Sequence, residues 1–100
     1  MFGWEHVHER LLALGKEMAA RDAELGELLV AARDLGIARR LGMADVYEYA
    51  DRMLGLKPRQ TEERLRVACA LDALPLIASA LGEGRLPWTA VRELTRVASP

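Results

Sequence analysis

The stretch YADRMLGLKPRQTEERLRVACALDA, residues 49–73, decides the fold. It reads as a helix that ends near Leu54, a tight turn through Gly55, and a second helix that begins at Pro58. Glycine readily leaves a helix through a left-handed conformation, and proline suits a first helical turn, where no amide donor is needed. The stretch therefore predicts a corner between two helices, and the rest of the chain is expected to pack around it.

The head of the second helix is basic, which is one arrangement that helix–turn–helix (HTH) proteins use to read nucleic acid. The candidate DNA-binding residues, including two possible phosphate contacts in a preceding turn, are Arg39, Arg40, Lys57, Arg59, Gln60 and Arg66. Arginine and glutamine can reach base edges, and lysine can hold a phosphate. The alternative is a solvated face crossed by ion pairs, because Glu62 and Glu63 would repel a phosphate backbone.

Composition favours an all-α domain. Of the 100 residues, 51% are hydrophobic, 29% are charged and only 5% are aromatic, and Leu, Ala, Glu and Arg dominate over β-branched residues. This length allows one domain, 1–100, which we expect to be a bundle of about five helices with a long N-terminal helix and an HTH-like unit. The net charge of −1 argues against a protein that coats nucleic acid without specificity.

The first segment, 1–36, carries a heptad pattern that predicts one long helix. Apolar residues follow alternating steps of four and three, interrupted only by Arg21, at Val7, Leu11, Leu14, Met18, Leu25, Leu28, Ala32 and Leu35. Two interpretations stay open. The stripe is either the core face of this domain, or a homodimer interface formed by the same residues without Ala32.

The second segment, 43–100, is predicted to hold the HTH-like helical bundle. Asp45 is placed to cap the helix before the corner, and Gly36 to end the long one. Cys69 is expected to be a small buried hydrophobe, and Trp88 a core anchor. In the last helix the pattern places four residues inward, namely Val91, Leu94, Thr95 and Ala98.

Several classes of function find no support in the sequence. His6 and His8 are the only histidines and have no cysteine nearby, so we expect no metal site, and nothing suggests a cofactor or a small-molecule ligand. We expect no catalysis, because no nucleophile–base constellation and no glycine-rich phosphate loop can be assembled. No signal peptide or membrane span is evident, so a cytoplasmic location is expected.

Three stretches resemble the helical N-terminal region of bacterial HNH endonuclease-type proteins: LGMADVYEYADRMLGLKPRQTEERLRVACAL (41–71), ALPLIASALGEGRLPW (73–88) and AVRELTRVASP (90–100). That family shows an "LG…Y…LGL" helix, an "R-x-A-x-AL-x-x-LP" helix, a "GRLSW" turn and a "VRELTRVATPET" helix. This chain has Pro87 where the family usually has Ser. The central stretch also resembles, more weakly, the HTH of ParB-type partitioning proteins. Its register is offset, since Asp51 and Arg64 stand where a small and an apolar residue are expected.

The resemblance implies a module of a longer, nuclease-associated protein. The paired histidines and the asparagine that bind the metal in that family lie far downstream of such a region and are not among these residues. We therefore expect a non-catalytic domain for DNA targeting or oligomerisation of an HNH endonuclease-like protein. The alternative is a stand-alone dimeric interaction module or a small transcriptional regulator.

Overall fold

The computed structural model describes residues 3–98, and these fold into helices joined by turns and short loops. The helices are α1 Trp4–Leu35, α2 Ile37–Arg40, α3 Val46–Leu54, α4 Pro58–Leu71, α5 Pro75–Gly82 and α6 Trp88–Val97. The all-α prediction is confirmed. There are six helices within 3–98 rather than about five, because the short turn of helix after Gly36 forms a helix of four residues.

The corner between α3 and α4 forms where the sequence places it. The side chain of Asp45 caps α3 by accepting a hydrogen bond from the backbone N–H of Glu48 at 2.9 Å. Gly55 ends α3 with φ +70°, and Pro58 begins α4. Both helix boundaries and the Asp45 cap are thus confirmed, since each depends on chemistry within a few residues.

The long helix α1 runs without a break and packs across α4 and α5 along its C-terminal half. Its buried residues are Ala19, Gly26, Leu29 and Ala32. A Cβ atom at Gly26 would lie only 3.2 Å from the Cβ of Ala68 on α4, so the absence of a side chain lets the two helices approach closely. Small residues, rather than the leucines of the heptad pattern, therefore set the distance between α1 and α4.

Two clusters form the core. The first joins α1, α3 and α4 and consists of Leu29, Ala32, Val46, Ala50 and Leu65. The second joins α1, α4, α5 and α6 and consists of Ala19, Val67, Leu81 and Val91. Trp88 is half-buried and packs against the second cluster. Burying a leucine or valine side chain contributes about 1.5–3 kcal/mol, so these few residues supply most of the packing that holds α1 in place.

The turn between α5 and α6 fixes α1 at its midpoint. Gly84 has φ +74°, and a Cβ atom there would lie 2.7 Å from the Cα of Lys16 on α1. Glycine is therefore required at this position for two reasons, the left-handed backbone and the close approach of α1. Before this point, residues 3–15 of α1 and its cap are exposed except for half-buried Ala13.

Two expectations about burial were wrong. Cys69 is exposed, because the face of α4 that meets the core is centred on Thr61, Leu65 and Val67 rather than on the cysteine. Leu94 lies at the edge of α6 with 37% of its surface exposed, while Val91 and Thr95 are buried as predicted. Among residues 3–98, no helix combines the length and the apolar character needed to cross a bilayer.

Candidate interaction surfaces

The heptad stripe of α1 lies on the outside of the molecule. Its exposed members are Val7, Leu11, Leu14, Met18, Leu28 and Leu35, and Leu25 is half-buried. We call these seven residues the α1 seam. Of the original pattern, only Ala32 is buried in the core. The interpretation of this stripe as the core face of the domain is therefore wrong, because α1 turns a neighbouring stripe of small residues towards α4 and α5.

Neighbouring leucines show how sharply the two faces of α1 differ. Leu28 keeps 61% of its surface exposed, whereas Leu29 keeps only 2%. Leu11 and Met18 are as exposed as Leu28, at 61% and 65%. The exposed apolar residues follow the heptad spacing from Val7 to Leu35 and form a strip that only Arg21 interrupts. Large exposed apolar strips on protein surfaces often mark interaction sites.

Two of the candidate DNA-binding residues lie away from the corner. Arg39 and Arg40 are exposed at the end of α2, and the Nε of Arg40 donates to the carbonyl oxygen of Leu35 at 3.4 Å. Arg39 lines a shallow hollow between the end of α1 and the start of α3. The structure therefore separates this pair from the residues of α4.

Three further candidates lie at the head of α4, where Lys57, Arg59 and Gln60 are all exposed. Gln60 has a structural task there, because its side-chain oxygen accepts a hydrogen bond from the backbone N–H of Lys57 at 2.8 Å. Within residues 3–98, neither Lys57 nor Arg59 lies within salt-bridge distance of a carboxylate, and Glu63 on α4 is paired with Arg66 and Arg96. Both cations are thus available to an external anion.

The last candidate, Arg66, is half-buried and bonded within the chain. Its guanidinium donates to Glu63, to the hydroxyl of Thr95 at 3.3 Å and to the carbonyl oxygen of Arg92 at 3.2 Å. Arg66 therefore ties α4 to α6. The same interaction lowers the pKa of Glu63 below its ordinary value, because the carboxylate accepts hydrogen bonds from Arg66 and lies close to the charge of Arg96.

A second ion pair ties α4 to α1. Arg64 donates to Asp22 at 2.8 Å, with both side chains largely covered. The guanidinium of Arg64 also lies over the ring of Trp88, 3.8 Å from its centroid, and that of Arg92 lies at 5.3 Å. Trp88 on α6 thus packs against the second core cluster and also makes a cation–π contact with Arg64 on α4. This is a wider role than the core anchor predicted from its position.

These contacts border an open groove between α4 and α6. Its arginines, which we call the arginine groove, are Arg59, Arg64, Arg66, Arg92 and Arg96. Glu62 and Glu63 are the acidic residues of the same groove, and Glu93 stands beside it within 3.8 Å of Arg96. Asp22, paired with Arg64, is a fourth carboxylate at this site, so five arginines against four carboxylates leave a local charge of +1 on a chain whose total is −1.

The sequence analysis missed Arg92 and Arg96. They stand four residues apart, so they project from the same side of α6, and that spacing was the available signal. The packing of α6 against α4 could not be predicted from the sequence. It places both arginines in the same groove as Arg59 and Arg66. The expected site at the corner is therefore extended by the last helix.

Within residues 3–98, no group of three or more His, Cys, Asp or Glu side chains is placed to hold a metal ion. Comparisons of the chain with protein-family models, curated proteins and solved structures gave no match. The resemblance to the N-terminal region of HNH endonuclease-type proteins therefore stays a prediction. The α1 seam and the arginine groove are the two surfaces on which a function can rest.

Proposed function

We propose that this chain is a non-catalytic helical module that forms a homodimer through the α1 seam. The observation that carries the proposal is the exposure of leucines such as Leu11 and Leu28 at a heptad spacing that the domain itself does not use. An apolar strip of this kind is costly to leave in water, and a second copy of the same helix covers it with matching spacing.

The shape of α1 favours pairing between helices over further folding within one chain. The helix has 32 residues, which corresponds to about 48 Å at 1.5 Å per residue. Its first turns, from Trp4 to Leu12, are exposed along their length and precede the contact of Lys16 with Gly84. Another α1 could therefore lie along the seam without displacing α4 or α5.

Size-exclusion chromatography with light scattering tests the homodimer. We expect the wild type to have twice the 11.1 kDa mass of one chain at high protein concentration, and the Leu11→Lys variant to remain a monomer. Leu76→Lys is the matched control, because Leu76 is an 84% exposed leucine on α5, outside the α1 seam. A dimer that survives Leu11→Lys and Leu28→Lys would overturn the proposal that the seam forms the interface.

A second function, DNA contact, is favoured by one specific observation at the corner. Lys57 and Arg59 are exposed, and neither belongs to an ion pair within residues 3–98. We infer that α3, the Gly55 turn and α4 act as an HTH-like unit that places these cations against a phosphate backbone, with Arg39 and Arg40 as outlying phosphate contacts. In an HNH endonuclease-like protein such a module would target or pair the nuclease, whose active site would lie elsewhere.

Fluorescence anisotropy with a labelled DNA duplex tests this second function. Binding should be strongest at low salt and should weaken as the salt concentration rises, because cations such as Lys57 replace counterions on the phosphates. We expect Lys57→Ala to weaken binding about equally for unrelated duplex sequences, as the loss of a phosphate contact does. A wild-type protein that does not bind duplex DNA even at low salt would remove the HTH-like unit from consideration as a DNA-binding element.

A further inference from the structure

The groove between α4 and α6 contains more arginine than its own carboxylates can neutralise. Glu63 is shared by Arg66 and Arg96, the latter at 3.1 Å. Glu93 pairs with Arg92 at 3.4 Å and approaches Arg96 at 3.8 Å, so Arg66, Arg92 and Arg96 share two carboxylates and one positive charge remains among them. A guanidinium has five N–H donors, and the single contact of Arg96 with Glu63 and its longer approach to Glu93 leave several of them to solvent.

The arginines of the groove form two short rows rather than one point charge. On α6, Arg92 and Arg96 are one turn apart, about 6 Å along the helix axis. On α4, Arg59 and Arg66 are two turns apart, about 10 Å along the axis. Lys57 is exposed at the N-cap of α4 but does not line the groove. Rows of separated cations match a polymer of regularly spaced anions better than they match a single small anion.

The position of Trp88 decides which kind of polyanion the groove fits. Proteins that hold single-stranded nucleic acid stack bases on aromatic rings. Here the ring of Trp88 is already covered by the guanidinium of Arg64 at 3.8 Å, and Arg64 is itself held by Asp22. The groove thus offers cations without a free aromatic platform, which suits contact with a phosphate backbone and not the stacking of exposed bases.

We propose that the arginine groove is a binding site for the phosphate backbone of duplex nucleic acid, with Arg96 and Arg59 as its accessible contacts and Arg92 beside them. The proposal rests on DNA contact by this chain, the second function proposed above, and adds α6 to the surface. Arg66 and Arg64 are positioning residues in this site, because their guanidinium groups are bonded to Glu63 and Asp22 and fix the two sides of the groove.

The experiment uses charge-matched variants of the full chain and a labelled DNA duplex in anisotropy titrations from about 50 to 200 mM salt. Arg96→Glu changes the groove. Arg85→Glu is its control, because Arg85 is likewise an exposed arginine paired with a glutamate, at 2.7 Å from Glu83, and lies outside both the groove and the HTH-like unit. Both variants alter the net charge equally, and circular dichroism confirms that each is folded.

We expect Arg96→Glu to weaken duplex binding about tenfold or more and to lower the slope of log K against log salt by about 1, whereas Arg85→Glu changes affinity less than about threefold. Equal losses in the two variants would mean that net charge alone matters and would overturn the groove. Binding that is lost in Lys57→Glu but kept in Arg96→Glu would also overturn it, while leaving DNA contact by the corner intact.

Three further outcomes would each overturn the proposal. A wild-type protein that does not bind the duplex defeats both the groove and the DNA function. If poly-glutamate displaces the duplex and binds the wild type more tightly than DNA does, with Arg96→Glu abolishing that binding, then the groove receives an acidic protein segment and the nucleic-acid assignment is wrong. Tight binding of a single-stranded oligonucleotide in preference to the duplex would contradict the argument from Trp88.

Discussion

The first half of α1 and the surface formed by α4 and α6 differ in which side chains they expose and which they bury. On α1, apolar residues such as Leu11 and Met18 are left largely uncovered by the other residues between 3 and 98. On α4 and α6, charged residues such as Arg66 and Glu63 are half-buried and bonded to one another. The first surface lacks an apolar partner, and the second has internal partners with positive charge left over.

This difference teaches that a regular pattern and a structural role need not coincide. The heptad spacing of α1 is the most regular feature of the sequence, yet the domain packs mainly on a different stripe of the helix, which contains Ala19, Gly26 and Leu29. Conversely, the arginines of α4 and α6 have no diagnostic motif, yet they collect in one groove. In this domain the regular pattern is therefore a poor guide to the core, and it is the basis of the proposed interface.

The largest expected effect compares two adjacent leucines on the two faces of α1. Leu29→Ala should lower the free energy of unfolding by about 2–5 kcal/mol, because it leaves a cavity in the first core cluster. Leu28→Ala should change the stability of the single chain by less than about 0.5 kcal/mol, as exposed substitutions usually do. Urea denaturation at a protein concentration where the chain is monomeric measures both. Similar losses in the free energy of unfolding for the two variants would contradict the assignment of Leu29 to the buried face of α1 and Leu28 to the exposed face.

The next effect concerns the contact that fixes the middle of α1. Gly84→Ala should destabilise the chain by about 1–3 kcal/mol because alanine is strained in the left-handed backbone at this position. A clash between the new Cβ and Lys16 should add to this loss. Gly42→Ala is the control, since Gly42 has φ +80° with no atom within 4 Å of a new Cβ. Thermal unfolding of both variants separates backbone strain from the clash. Equal shifts in Tm would show that Lys16 does not approach the turn.

A smaller effect tests the ion pairs between α4 and α6 through pH. Because the pKa of Glu63 is lowered in the folded chain, its contribution to stability is present above the unfolded value of about 4.3 and is lost as pH falls through the folded value. Glu63→Gln should lower Tm by a few degrees at neutral pH. The gap between variant and wild type should close in acid. A gap that stays constant from neutral pH to below pH 4 would exclude the charge of Glu63 as its cause.

The parts of the structure that could be predicted from the sequence are those fixed by neighbours in the chain. The Asp45 cap, the end of α1 at Gly36 and the corner at Gly55 each depend on residues within one helical turn. The buried face of α1 could not be predicted in the same way, because Ala19 and Gly26 contribute little to any apolar pattern. Their role becomes visible only when α4 packs against them.

The candidate site shows the same division. Lys57 and Arg59 are exposed at the head of α4, as expected from their place in the sequence. Arg66 was grouped with them, but its guanidinium reaches α6 and bonds to Thr95 and Arg92, residues that are far away in the sequence. Long-range packing of this kind also brings Arg96 into the groove. Local patterns therefore predicted candidate residues on α4, and the packing of α6 against α4 added those on α6.

The central claim is that the α1 seam is an interface between two copies of this chain. Sedimentation equilibrium of the wild type over a wide range of protein concentrations tests it most directly. The predicted result is a reversible increase in mass from 11.1 kDa to twice that value as the concentration rises, which Leu28→Lys abolishes. A constant mass of 11.1 kDa at every concentration would contradict the claim.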